Sequence, residues 1–107
     1  MNQPEHLDRV FGAICNSTRR AILANLAEGE RTTGSIAGEF ALSRPTISKH
    51  LRVLKDAGLV TRRHEGRNQI YTLDAEPMAA AGRWLSQYQR FWSQSLRQLQ
   101  RHLEETK

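Results

Sequence analysis

The hydrophobic period changes twice along this chain, and that order admits few architectures. From Leu7 to Leu54, apolar residues recur at three- and four-residue intervals, the spacing of helices that bury one face. Between Leu59 and Leu73 the stretch "LVTRRHEGRNQIYTL" is instead rich in β-branched and aromatic residues. Glu65, Gly66, Arg67 and Asn68 divide it as turn material, so it reads as a hairpin. Helical spacing then returns through Trp84, Leu85, Tyr88, Phe91, Trp92, Leu96, Leu99 and Leu103. At 107 residues the whole pattern belongs to one domain.

The punctuation between these runs predicts five helices. Leu7, Val10, Phe11 and Ile14 give a first helix over residues 5–15; Asn16 and Ser17 are capping types ahead of a second, which carries Ile22, Leu23 and Leu26 as far as Gly29. Thr32 or Thr33 can cap a short third, "GSIAGEF", burying Ile36, Ala37 and Phe40. Ser43 is an N-cap type and Pro45 falls in the first turn, where a missing N–H costs nothing. The fourth helix therefore runs from about Arg44 to Asp56, ends at Gly58 and buries Ile47, Leu51 and Leu54. The fifth spans about 75–105. The fold class is mainly α with a small β-hairpin, arranged as a winged helix-turn-helix: the helix-turn-helix at about 32–57, the wing at about 59–73 and the long final helix behind it.

The stretch "SRPTISKHLRVLKDAG" suggests what the fourth helix is for. Helical geometry turns Pro45, Thr46, Ser48, Lys49 and Arg52 away from the apolar seam, with Ser43 at the cap, Arg44 beside it at the helix start and His50 at the margin. A helix entering the major groove of DNA needs such a face, with groups that donate to and accept from base edges and cations for phosphates. An ordinary solvated helix face would look similar, but the distribution of charge favours the first reading. Residues 1–42 hold four Lys and Arg against five Asp and Glu, residues 43–74 seven against three, and residues 75–107 five against three. Most of the net charge of +5 thus sits on the fourth helix and the hairpin, where Arg62, Arg63 and Arg67 suit phosphates or a minor groove.

"STRRAILANL", "TTGSIAGEF", "LSRPTISKHLRVLKDAGLV" and "RRHEGRNQIYTLDAEPM" together resemble consecutive elements of the ArsR family of bacterial winged-helix repressors, a resemblance running from about residue 8 to residue 100. It implies a homodimer on a palindromic double-stranded DNA operator, with the recognition helix at residues 44–56 and the wing at 61–69. It also implies that the first and last helices form the dimer, which matches the apolar faces of Leu7, Phe11, Trp84, Tyr88, Phe91, Trp92, Leu96 and Leu99. A symmetric partner is a common use for so large an apolar stripe in a small chain.

Many members of that family sense metals, and neither of the family's sites is complete here. The helix that carries the thiolate site reads "TTGSIAGEF", without cysteine. On the last helix His102 and Glu105 match half of the zinc motif, but the other half falls on Gln89 and Phe91, which do not ligate zinc. No metal and no cofactor is expected. A single cysteine, Cys15, excludes an internal disulfide and is expected to be buried as a small hydrophobe. With no Gly-rich phosphate loop and no nucleophile–base motif, the chain is not expected to be an enzyme. The first residues carry no basic segment before an apolar run and no stretch is long enough to span a bilayer, which favours a cytoplasmic protein. Two other readings remain open: an effector- or thiol-responsive sensor on the same fold, and a winged-helix module that binds protein.

Overall fold

A computed structural model describes residues 3–105, the side chains of residues 3, 4 and 96 excepted. Six helices and three strands follow one another as α1 (Gln3–Ile14), α2 (Ser17–Ala27), β1 (Arg31–Thr32), α3 (Thr33–Phe40), α4 (Arg44–Asp56), β2 (Val60–Glu65), β3 (Asn68–Leu73), α5 (Glu76–Ser86) and α6 (Gln89–Glu105). The architecture is mainly helical with a small antiparallel sheet.

At the start of α2, α3, α4 and α5 a short polar side chain accepts from a backbone N–H of the first turn. Asn16 accepts from the Arg19 N–H, Thr32 from that of Ser35 and Ser43 from that of Thr46, so α2, α3 and α4 each have one orphan donor satisfied. Asp74 does the same for α5, accepting from the Glu76 N–H at 3.1 Å. The end of α4 closes with the Gly58 N–H on Lys55 O and the Leu59 N–H on Leu54 O, both at 2.9 Å. Gly58 holds a φ of +78°, a conformation that glycine adopts without a Cβ clash. This closure turns the chain back under α4 and starts β2 with Leu59 and Val60 buried.

The core is built where the helical seams meet. Val10 of α1, Ile22 of α2, Ile36 of α3 and Ile47, Leu51 and Leu54 of α4 are all fully buried, with Leu7, Phe11, Ile14, Phe40, Leu73 and Met78 packed around them. Truncating one of these, as in Leu51→Ala, costs about 2–5 kcal/mol by the usual sum of lost transfer and cavity. The seam expected for α4 is thus what fixes its other face outward.

Three features differ from the sequence expectation. The hairpin gains a third strand, because Arg31 and Thr32 pair antiparallel with Tyr71 and Ile70 and give the order β1-β3-β2. Two residues carry no readable alternation, so β1 leaves no trace in the hydrophobic pattern. The turn is also tighter: Glu65 pairs with Asn68, leaving only Gly66 and Arg67 at the tip, and Gly66 takes the positive φ of +63° that such a turn requires.

The expected fifth helix is two, α5 and α6. Ser86 Oγ donates to Arg83 O at 2.6 Å and Gln87 Nε2 to Trp84 O at 2.9 Å, so two side chains take carbonyls at the end of α5. The chain crosses the break through tighter bonds, from the Tyr88 N–H to Leu85 O and from the Phe91 N–H to Tyr88 O, both 3.0 Å. Cys15 is a further correction: α1 stops at Ile14, so Cys15 falls outside its buried stripe and is exposed.

Candidate nucleic-acid interface

The outward face of α4 carries Arg44, Pro45, Thr46, Ser48, Lys49 and Arg52, all exposed, with Ser43 exposed at its cap. Ser43 Oγ lies 2.8 Å from Thr46 Oγ1 and accepts from the Thr46 N–H at 3.3 Å, so these two hydroxyls are already joined at the first turn. His50 is half-buried at the edge of the seam, its Nδ1 3.5 Å from Arg19 Nη1. Pro45 at the helix start supplies a fixed φ rather than a donor.

The sheet brings the wing alongside this face. Side chains alternate across a strand, and Val60, whose position on β2 faces the core, puts Arg62 on the same side. Arg62 is paired with Tyr71, and together with Gln69 they line a cleft whose other wall is Ser48, Lys49, Arg52, Lys55 and Asp56. A second groove lies between Arg44 and Ser48 of α4, Thr33 and Gly34 of α3, and Arg67 and Asn68 of the wing. Six cations, Arg44, Lys49, Arg52, Lys55, Arg62 and Arg67, thus border two adjoining depressions. None of them forms an ion pair among the described residues.

Arg63 is placed differently. One residue along β2, it lies on the opposite face of the sheet, where Nη1 and Nη2 grip Glu30 at 2.6 and 2.9 Å and Nη2 reaches Glu65 at 3.3 Å. The hydrogen bond to Arg63 holds the Glu30 carboxyl below its ordinary value, against the opposing pull of desolvation, and the same bond raises Arg63. Lys55 and Gln69 are cleft residues absent from the expected site. The spacing of Lys55 three residues after Arg52, and the strand alternation that places Gln69 with Tyr71, are the signals that point to them.

The second set of expected residues is an apolar stripe. Leu7 and Phe11 are half-buried against the core, and Phe11 meets Trp84 edge-on at 5.8 Å. Trp84, Tyr88 and Phe91 then continue the row, with centroids 5.4 and 6.5 Å apart. Phe91 and Leu99 are 56% and 55% exposed, Trp92 is exposed beside them, and α6 packs extensively against no other element among the described residues. Leu96 shares this stripe in sequence, but its side chain lies outside the described ones. Among the described residues there is no group of three or more His, Cys, Asp and Glu that could hold a metal ion, and no helix long and apolar enough to cross a membrane.

Comparison with known proteins agrees with this geometry. Residues 16–62, which run from the cap of α2 into β2, match the model of the bacterial regulatory protein arsR family. The chain is 42% identical over 89 residues to the HTH-type transcriptional regulator Rv2034 of Mycobacterium tuberculosis, covering 83% of this chain and 80% of that protein. It is 37% identical over 79 residues to the transcriptional repressor SdpR of Bacillus subtilis, 74% of this chain and 88% of that one. The solution structure of the homodimeric winged helix-turn-helix DNA-binding domain Mb0332 of Mycobacterium bovis, described as a possible ArsR-family transcriptional regulator, superposes with a TM-score of 0.65. It is 34% identical, over 86% of this chain and 82% of that one.

Proposed function

Since the chain belongs to the ArsR family of bacterial transcriptional regulators, which are not enzymes, we propose that it is a homodimeric repressor of an inverted-repeat operator. One observation carries the reading: six cations without ion-pair partners gather on α4 and the wing, around a helix whose buried seam leaves its polar face outward. A polyanion whose groove admits an α-helix is double-stranded DNA. Repression is supported by the likeness to SdpR, and the homodimer by the likeness to Mb0332 together with the uncovered face of α6.

In this reading the domain spans the whole chain and divides the work among its elements. The helix-turn-helix covers about 32–57, the wing about 59–73, and the helices over about 75–105 make the dimer with α1. Arg44, Thr46, Ser48, Lys49, His50 and Arg52 face base edges and adjacent phosphates, Ser43 and Pro45 set the start of the reading helix, and Arg62 and Arg67 take the phosphates beside it. A two-fold pair sets its reading helices one helical turn, roughly 34 Å, apart, which demands an inverted repeat.

Selection of bound sequences from a random duplex pool tests this directly, and an inverted repeat should emerge. Arg44→Ala and Lys49→Ala should each weaken binding to it with helix content unchanged. A base-reading arginine costs about 1–3 kcal/mol and relaxes one position, whereas a phosphate-bound lysine weakens all sequences alike and lowers the salt slope by about one. Full affinity in both variants would remove α4 as the reader.

A further inference from the structure

We propose that Glu30 and Arg63 form a latch that sets the pose of the wing beside α4, so that Arg63 is a positioning residue and not a DNA contact. The proposal rests on the reading of α4 and the wing as the DNA surface.

The topology gives the pair its leverage. In the order β1-β3-β2, β1 and β2 are not neighbours, and Glu30 immediately precedes β1. Arg63 therefore reaches from β2 across the middle strand to the far side of the sheet, a span of about two strand spacings, or roughly 9–10 Å, which suits an extended arginine. Its grip is bidentate, at 2.6 Å to Glu30 Oε2 and 2.9 Å to Oε1, and a planar guanidinium held by two parallel bonds fixes direction as well as distance. Glu65 takes the remaining reach of Nη2 at 3.3 Å, beside the turn.

What the latch joins also matters. Glu30 lies three residues before α3 begins, and α3 carries the Gly34 wall of the groove that Arg44 and Arg67 border. β1 itself pairs with β3 over only Arg31 and Thr32. Without the ion pair, the two-strand ribbon that presents Arg62 and Arg67 is held to the helix-turn-helix by that short ladder and by the buried contacts at its base. With it, both edges of the sheet are tied. Arg63, engaged on the face away from α4, is then unavailable to the duplex.

Opposite signs separate the latch from a phosphate contact. If Arg63 positions the wing, Glu30→Gln and Arg63→Gln should each weaken operator binding by about two- to five-fold, the range for an exposed ion pair, with the salt slope unchanged. The reversed pair, Glu30→Arg with Arg63→Glu, should recover the loss when compared in a Glu65→Gln background, where the new carboxylate has no like-charged neighbour. If Arg63 binds phosphate, Glu30→Gln should tighten binding, Arg63→Gln should lower the slope by about one, and the reversal should fail; any of these overturns the proposal. Amide hydrogen exchange over residues 62–69 in the free protein is the second arm. It should quicken in both single variants and slow again in the reversal, and unchanged exchange overturns the latch whether or not the duplex reading holds.

Discussion

Arg44 lies across Gly34 so closely that a Cβ built on that glycine stands 2.7 Å from Arg44 Nη2 and 3.3 Å from Cζ. The obstacle is the far end of a flexible side chain, whereas Gly34 itself sits in the first turn of α3. Gly34→Ala should therefore hold or raise the melting temperature, since alanine gains up to about 1 kcal/mol of helix propensity, while it displaces the guanidinium. Operator affinity should fall by no more than Arg44→Ala lowers it, and the double variant should match Arg44→Ala alone. Additive losses would show that Gly34 acts independently of Arg44.

Arg19 of α2 ties that helix to the end of α1. Its Nε donates to Ala13 O at 2.6 Å and its Nη2 to Gly12 O at 3.1 Å, beside the longer bond that Gly12 O accepts from the Cys15 N–H, so the fork caps carbonyls in the last turn of α1. Arg19→Ala should cost about 1–2 kcal/mol in chemical denaturation, the range for hydrogen bonds made by a charged donor in a half-buried site. Arg19→Lys should recover only part of it, because an ammonium cannot serve both carbonyls in the planar geometry of the fork. A variant as stable as the parent would leave these bonds without energetic weight.

The Glu30 carboxyl titrates below its ordinary value of 4.5 because Arg63 is bound to it. A folded-state pKa below the unfolded one means that the pair stabilises the wing fully above pH 4.5 and ceases to do so as pH falls through the lower folded value. Carboxyl carbon shifts followed by NMR titration should show Glu30 titrating below its ordinary value, and Arg63→Gln should return it toward that value. A Glu30 that titrates normally in the parent would show the pair to be open in solution.

Phe91→Glu tests the dimer. Phe91 is 56% exposed and α6 lies away from the core, so the substitution should leave the fold of the monomer intact by circular dichroism. Placed between two copies it buries an unpaired charge, a loss of about 3–5 kcal/mol where no partner compensates it. Sedimentation at micromolar concentration should then report monomer, and operator affinity should drop with it. A dimer of full affinity would take the interface off α6.

Local signals carry the helix-turn-helix almost residue for residue. Ser43, Pro45 and Gly58 bound α4 because capping, a fixed φ and a left-handed closure each depend on one residue and its immediate neighbours. Ile47, Leu51 and Leu54 orient it because a helical seam is written at fixed intervals, so the outward position of Ser48, Lys49 and Arg52 follows from the sequence by itself. Where Arg63 points does not follow. Arg62 and Arg63 are the same residue type in adjacent positions, and what separates their surroundings is strand alternation together with the arrival of Glu30, 33 residues earlier, at the far side of the sheet. The break between α5 and α6 is likewise hidden, since it depends on Ser86 and Gln87 turning onto carbonyls behind them, which neither residue type requires. Period and caps are short-range and legible in one dimension; pairings across a sheet, and the choice of partner for a long polar side chain, are decided only when distant segments meet.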